Sequence, residues 1–198
     1  MFVRTIRPSD VAEVANVERI AWGENAASPE TIARRASVFE QGSIVIVNGD
    51  GIVGYAASQL TDHISTKCWS TQTDDGQIEK THVASGAIAY GVSMSARPGV
   101  SGKGVAHHVI QHYAETYLGG GCRAMCVGSR VPGFARWQEA IPQGTLSEYL
   151  QPMEDGRSRD PELRLYSANG FHLLWEMPGY YPDTKSGGHG AMLLRTHV

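Results

Sequence analysis

Cysteine is scarce in this sequence. The three thiols are Cys68, Cys122 and Cys126, and an odd number of cysteines does not complete a framework of disulfides. Free thiols are typical of proteins in a reducing compartment. The cysteine content therefore predicts a cytoplasmic protein, with Cys122 and Cys126 as core thiols on one face of a strand.

Basic residues are not in excess either. The 198 residues include 17 lysines and arginines against 20 aspartates and glutamates, which gives a formal charge of −3. Proteins bind nucleic acids largely through basic residues that release counterions from the phosphates. The charge balance therefore predicts no nucleic-acid partner, while an anionic small molecule could still bind at a local site.

Long apolar runs are missing as well. No stretch reaches the roughly 18 apolar residues of a membrane-spanning helix, and the opening segment MFVRTIRPSD lacks the apolar core of a secretory signal. Both absences predict a cytoplasmic protein without a membrane partner.

The common motifs of metal and serine hydrolases are also absent. The sequence contains no H-E-x-x-H helix, no second cysteine pair that would complete a zinc site, and no G-x-S-x-G turn. His108 and His112 are spaced by one helical turn, but they fall on the polar face of their predicted helix. The sequence therefore predicts no metal cofactor.

What remains is the pattern of one α+β domain over residues 1–198. Turn residues and apolar periodicity predict the order β-α-α-β-β-β-α-β-α-β-β. We expect a central mixed, mostly antiparallel sheet of six to seven strands with helices on both faces. Two segments stand outside this pattern: 61–81, predicted as a loop or an extra hairpin, and an insertion at 131–160.

Several boundaries can be predicted from local signals. Pro8-Ser9-Asp10 begins the first helix, and Ser28 caps a second helix that starts at Pro29. The Asn48–Gly51 turn joins a hairpin. A strand is predicted at Ser85–Met94, before the glycine-rich turn, and another at Arg123–Val127, after the following helix.

The glycine-rich turn Ser101-Gly102-Lys103-Gly104-Val105-Ala106 lies between a predicted strand and a predicted helix. Bare backbone N–H groups at a helix start form a cradle for phosphate oxygens. The spacing fits neither a Walker loop nor the dinucleotide fingerprint G-x-G-x-x-G. A plain tight turn remains the alternative to an anion site.

The same turn resembles the acyl-CoA signature [QR]-x-x-G-x-[GA] of the GNAT superfamily of N-acetyltransferases. Gly104 and Ala106 occupy the small positions, whereas Ser101 stands where Gln or Arg is usual. Two further segments, LRLYSANGF at 163–171 and the tyrosine-rich close PGYYPD before GAMLL, resemble later parts of that family. The ending and the insertion are also similar to acetyltransferase modules found beside carbon–nitrogen hydrolases.

The resemblance implies how acetyl-CoA would bind. The pantetheine arm would pair with the backbone of Val92, Ser93 and Met94, and an N–H near Val92 would polarise the thioester carbonyl. The pyrophosphate would lie on the turn. The residues implied there are Ser101, Gly102, Lys103, Gly104, Val105 and Ala106. Tyr166 takes the position of the catalytic acid, with a tyrosine packed on the sheet as its alternative reading.

The resemblance also suggests where the acceptor binds. Tyr180, Tyr181 and Asp183 lie in the loop before the last strand, and Glu24 lies in the acceptor-side helix region. The general base is not readable from the sequence. Its candidates are Glu24, Asp75, Glu79 and His82.

The resemblance implies an acetyl-CoA-dependent N-acetyltransferase that acts on a primary amine of a small molecule by direct attack in a ternary complex. Two alternatives stay open: a related transferase that uses a protein amine or a longer acyl-CoA, and a CoA-binding module without turnover. A homodimer is compatible with this type of fold.

Overall fold

A computed structural model describes residues 1–197, without the side chains of residues 102 and 103. Seven strands form one sheet in the order β1-β2-β3-β4-β5-β7-β6. Their bounds are Phe2–Thr5 (β1), Ser43–Asn48 (β2), Gly51–Thr61 (β3), Ile88–Ala96 (β4), Ala124–Arg130 (β5), His172–Met177 (β6) and Gly190–Thr196 (β7). Neighbouring strands are antiparallel except for the parallel pair β4–β5. The predicted fold class is confirmed.

Seven α-helices are found in the described chain. Their bounds are Val11–Trp22 (α1), Pro29–Val38 (α2), Trp69–Thr73 (α3), Gly102–Tyr113 (α4), Phe134–Ala140 (α5), Leu146–Leu150 (α6) and Pro161–Ser167 (α7). A π-helical turn, Ala114–Leu118, extends α4. Ser28 caps α2 as predicted, since its Oγ accepts the Thr31 N–H at 3.1 Å. Within residues 1–197, none of the helices has the length and apolarity to cross a membrane.

Some predicted boundaries were wrong. The strand expected at Ser85–Met94 lies at Ile88–Ala96, because the first residues of that range form a turn closed by the Gly86 N–H on the Val83 carbonyl. The strand expected at Arg123–Val127 runs on to Arg130. The segment 61–81 contains the short helix α3 rather than a hairpin, and the insertion holds α5 and α6.

Helices cover both faces of the sheet, so the molecule has two apolar cores. On one face α1 and α2 bury Val14, Val17 and Ile32 against β2, β3 and β4. On the other face α4 and α7 bury residues such as Val109 and Leu163. Burial of such side chains contributes roughly 1.5–3 kcal/mol each.

The strands β4 and β5 pair only over part of their length. The paired residues extend from Ile88 opposite Ala124 to Gly91 opposite Val127, and the pairing ends there. On its other edge β4 shifts register against β3 between Ala57 and Ser58, so Val92 is an extra, bulged residue. Beyond the bulge the two parallel strands diverge and leave a gap in the sheet.

Candidate active site

The gap between β4 and β5 opens into a cavity of about 750 Å³. Side chains from both faces of the sheet line it, so the cavity passes through the sheet. We call the part on the α4 and α7 side the groove; it is lined by Val105, Val109, Tyr113, Leu165 and Phe171. We call the part on the α1 and α2 side the chamber; it is lined by Glu18, Trp22, Arg35, Trp69 and Tyr181.

The edge of β4 that faces the gap carries the three residues predicted to bind pantetheine. Val92, Ser93 and Met94 all line the cavity. The bulge turns both Val92 and Ser93 toward α1, whereas Met94 packs on the groove side. A strand edge that has lost its neighbour exposes backbone N–H and C=O groups to an added chain.

The glycine-rich turn begins α4, as predicted. Ser101 is the N-cap residue, and its Oγ accepts the Gly104 N–H at 3.2 Å. The Val105 N–H donates to the Ser101 carbonyl at 3.0 Å. Val105 and Ala106 are buried and line the groove. The predictions for Gly102 and Lys103 concern residues outside the described side chains.

Tyr166, on α7, lines the groove. Its ring meets Phe171 edge-on at 5.5 Å between centroids. Burial raises the pKa of this phenol, and the charge of Glu162 adds to the rise while that of Arg130 opposes it. The phenol therefore stays protonated at neutral pH.

A thiol in the cavity wall shows how this environment acts on sulfur. Cys126, on β5, lines the cavity, and burial raises its pKa to about 12. Desolvation disfavours the thiolate because the charged form loses its hydration. A thiol of a bound ligand at the same depth would experience the same effect.

The residues predicted at the acceptor site are not all brought together. Tyr180 and Tyr181 line the cavity, but Tyr180 is buried and shares a 3.0 Å hydrogen bond with the Tyr90 hydroxyl. Asp183 caps a short 3₁₀ turn through the Ser186 N–H, and Glu24 is exposed in the turn after α1. Neither carboxylate lines the described cavity.

The other base candidates also lie apart from one another. Asp75 is exposed at the cavity rim. Glu79 pairs with Arg34 at 3.2 Å on the surface. His82 accepts the Leu60 N–H through Nδ1 at 3.2 Å and stacks on Phe39. His82 is therefore engaged in holding its loop to β3.

One carboxylate that sequence reasoning missed lies in the chamber. Glu18, on α1, is 2% exposed. Its Oε1 accepts the hydroxyls of Ser93 and Ser95, at 3.1 and 2.8 Å, and its Oε2 accepts the Ala27 N–H at 3.3 Å. The signal was present, because Glu18 follows the buried Val14 by one helical turn and so shares its face.

An arginine and three aromatic rings complete the chamber. The Arg130 guanidinium lies 4.4 Å over the Trp22 ring and donates to Glu162 at 2.7 Å. Tyr181 meets Trp22 and Trp69 edge-on, with centroids 6.1 and 5.4 Å apart. Burial raises the pKa of Glu162, opposed by the charge of Arg130.

Among residues 1–197, His, Cys, Asp and Glu side chains form no group of three or more that could hold a metal ion.

Comparison with known proteins gives one curated sequence relative. No family model matches the chain. The relative is "Probable hydrolase YhcX" of Bacillus subtilis (strain 168), which is 22% identical over 198 residues. The match covers 98% of this chain but 38% of the relative, so the chain spans less than two fifths of its length.

Solved structures give a broader likeness. The loading GNATL domain of CurA from Lyngbya majuscula superimposes with a TM-score of 0.80 at 23% identity, covering 98% of this chain and 96% of that one. The GphF GNAT-like decarboxylase in complex with isobutyryl-CoA gives 0.78 at 22% identity, with 99% of both chains covered. A GNAT superfamily phosphinothricin acetyltransferase from Sinorhizobium meliloti, in complex with AcCoA, gives 0.55 at 15% identity, with coverages of 98% and 86%. These likenesses confirm the fold that the sequence resemblance implies.

Proposed function

Because this chain has the GNAT fold, we propose that it is an acetyl-CoA-dependent N-acetyltransferase that acts on the primary amine of a small molecule. The observation that carries the proposal is the cavity through the sheet. Its groove presents an open strand edge to a donor, and its chamber presents a buried carboxylate to an acceptor. The two substrates would meet at the bulge of β4, in a ternary complex.

The donor would lie in the groove with its pantetheine arm along Val92, Ser93 and Met94. The fit is supported by the end of pairing at Gly91, which leaves this edge without a strand neighbour. The pyrophosphate would lie at the start of α4, where the helix dipole favours negative charge. There the phosphate would compete with Ser101 for the Gly104 N–H, since the serine hydroxyl already occupies it.

The acceptor must lose a proton before it attacks. An alkylamine with a pKa of about 10.4 is protonated at neutral pH, and freeing its lone pair costs on the order of 4 kcal/mol. Glu18 is the group we assign as the general base. Its bonds to Ser93 and Ser95 hold it against the strand that would carry the thioester, and its Oε2 has the single donor Ala27 in the described structure.

In the transfer step the amine nitrogen bonds to the thioester carbon, the carbon–sulfur bond breaks, and the nitrogen loses one proton while the departing sulfur gains one. The backbone N–H near Val92 would stabilise the developing oxyanion. The departing sulfur would face Tyr166 across the groove. The raised pKa of the phenol opposes full proton transfer, but burial also raises the pKa of a thiol that lines this cavity, as Cys126 shows on the α1 and α2 side. Donation from Tyr166 to the sulfur therefore remains feasible.

The walls of the chamber limit the size of the acceptor. Trp22, Trp69 and Tyr181 enclose the chamber with aromatic surface, which favours a small molecule over the flat approach of a folded protein. A longer acyl group or a protein N-terminus remains a testable alternative.

The test is a turnover assay that separates binding from chemistry. Purified protein would be incubated with acetyl-CoA and a panel of amines, with CoA thiol release and the acetylated product measured together. We expect the protein to bind acetyl-CoA. We also expect the acetylated product and the free CoA thiol to form in equal amounts. Binding of acetyl-CoA without product for any amine or peptide would instead support the CoA-binding module.

A second candidate, decarboxylation of a carboxyacyl-CoA, is favoured by one observation. The two solved structures with the highest TM-scores given above, 0.80 and 0.78, include a decarboxylase, against 0.55 for the acetyltransferase. In such a step the bond to the carboxylate carbon breaks, CO₂ leaves, and the electron pair passes to a thioester enolate that takes up a proton. Malonyl-CoA in the same assay would yield acetyl-CoA without an acceptor if this candidate is right.

A further inference from the structure

Two arginines of the chamber, Arg35 and Arg130, each keep a buried donor without a partner within residues 1–197. Arg130 forms an ion pair with Glu162, whereas Arg35 forms no ion pair in the described structure. Arg35, in the last turn of α2, is 2% exposed and lines the cavity. Its Nε donates to the Gly76 carbonyl at 2.5 Å, and Nη2 lies against the same glycine. Nη1 is buried and finds no partner within residues 1–197. Buried charges are normally paired, so this donor position calls for an anion.

Glu18 does not fill that role. Its carboxylate forms no ion pair with Arg35 in the described structure, since it is held by Ser93 and Ser95. Both charges nevertheless belong to one neighbourhood. Burial raises the pKa of Tyr55; the charge of Arg35 and a hydrogen bond with its side chain oppose this rise, and the charge of Glu18 adds to it.

Gly76 fixes the direction of the guanidinium. The glycine has a φ of +79°, and a side chain there would strike Arg35 Nη2 and the Trp69 ring. The Arg35 guanidinium is therefore held against this loop through Nε, and its two Nη groups are the donors that remain for a ligand. Such a preorganised donor loses little freedom when it binds a carboxylate.

We propose that Arg35 binds a carboxylate of the substrate and that the acceptor is an amino acid. This inference rests on the proposed function. The chamber holds a cationic donor and an anionic acceptor that do not neutralise each other, which complements a zwitterion. The ammonium group would face Glu18, the carboxylate would face Arg35, and the side chain would pack on Trp22, Trp69 and Tyr181.

The experiment compares amino acids with amines that lack only the carboxylate, such as phenylalanine and 2-phenylethylamine. For the natural enzyme we expect kcat/KM to be at least tenfold higher for one or more amino acids than for the matched amines. Arg35→Met should raise KM for the amino acid at least tenfold and leave kcat/KM for the amine within twofold.

Two further variants keep the result interpretable. Arg34→Met is the matched control, because Arg34 is exposed and pairs with Glu79 on the surface. This variant should leave KM and kcat/KM unchanged for both the amino acid and the amine. Arg35→Lys keeps the charge and should retain part of the preference. Turnover of the amine by Arg35→Met reports that the variant is folded.

Three results would overturn the inference in distinguishable ways. Equal use of amino acids and amines by the natural enzyme would reject the carboxylate site while N-acetyl transfer stands. Equal loss of both activities in Arg35→Met would make Arg35 a structural residue. If no amine is acetylated but Arg35→Met weakens calorimetric binding of malonyl-CoA and not of acetyl-CoA, the carboxylate comes from the donor, and the amino-acid assignment falls with the proposed function.

Discussion

The indole Nε1 of Trp69 donates a hydrogen bond to the carbonyl oxygen of Val92 at 2.9 Å. This contact joins the loop over the chamber to the bulged residue of β4. The backbone N–H of Trp69 also donates, at 2.9 Å, to the Tyr180 carbonyl. The wall of the chamber and the strand predicted to hold the thioester are therefore one connected unit.

Trp69→Phe should remove the bond to Val92 while it keeps an aromatic ring in the wall. A neutral hydrogen bond contributes about 1 kcal/mol net, so we expect kcat/KM for the acceptor to fall about fivefold with acetyl-CoA affinity unchanged. Steady-state kinetics and calorimetry would measure the two effects. Trp175→Phe is the control, because Trp175 Nε1 has no partner in the described chain. Equal losses in both variants would count against a specific role for the Trp69 bond.

Tyr166→Phe should slow the release of CoA thiol. The ring and its contact with Phe171 remain, so acetyl-CoA should bind as before, while loss of a general acid lowers kcat by about 100-fold. Because burial raises the pKa of the phenol, the activity of the natural enzyme should show no loss from Tyr166 ionisation up to about pH 10. Full turnover by the variant at every pH would exclude the acid role.

Glu18→Gln should reduce turnover at neutral pH about 100-fold, because the amide cannot take the proton of the amine. The loss should shrink as pH approaches about 10, where the free amine becomes abundant without a base. A pH profile of kcat/KM tests this. Glu13→Gln, on the same helix but paired with Arg97 at the surface, should keep the natural profile. Loss in Glu24→Gln instead of Glu18→Gln would move the base to Glu24, one of the four candidates from the sequence.

Cys68 should be the most reactive thiol of the chain. The hydroxyls of Ser70 and Thr71 lower its pKa to about 7, whereas burial raises the pKa of Cys126 to about 12. Iodoacetamide should therefore modify Cys68 with a rate midpoint near pH 7 and leave Cys126 unmodified until the protein unfolds. Peptide mass spectrometry would locate the label. Since Cys68 lines the cavity, modification should also lower acceptor turnover, and Cys68→Ser should be resistant to this inhibition.

Much of the fold could be predicted because its signals are local. The Ser28 cap, the Asn48–Gly51 turn and the apolar stripe of α1 each depend on residues a few positions apart. The short helix α3 was missed because its five residues, WSTQT, carry no apolar period. It is held in place by the tertiary hydrogen bonds that Trp69 donates to the carbonyls of Val92 and Tyr180.

The sequence could place site residues on their strands and helices, but it could not show which charged side chains become buried in the cavity. Val92, Ser93, Met94 and Tyr166 all line the cavity, and the roles that the resemblance implies for them stay predictions. Glu18 and Arg35 were missed because a charged residue in an amphipathic helix is usually solvated. The spacing from Val14 places Glu18 on the buried face of α1, but the depth of its burial and that of Arg35 depends on how α1 and α2 meet the sheet. Asp183 shows the opposite case. The sequence suggested an acceptor-site residue, but its carboxylate caps a short 3₁₀ turn by accepting the N–H and hydroxyl of Ser186.

The opening between β4 and β5 has a kinetic consequence for inhibitors. A molecule that covalently joins a CoA-like half to an amino-acid half would have to thread one end through the sheet before both halves could engage. Entry should be slow, and escape slower still, because each half blocks the exit of the other. Such a conjugate should show time-dependent inhibition and a long residence time, even where each separate half exchanges rapidly.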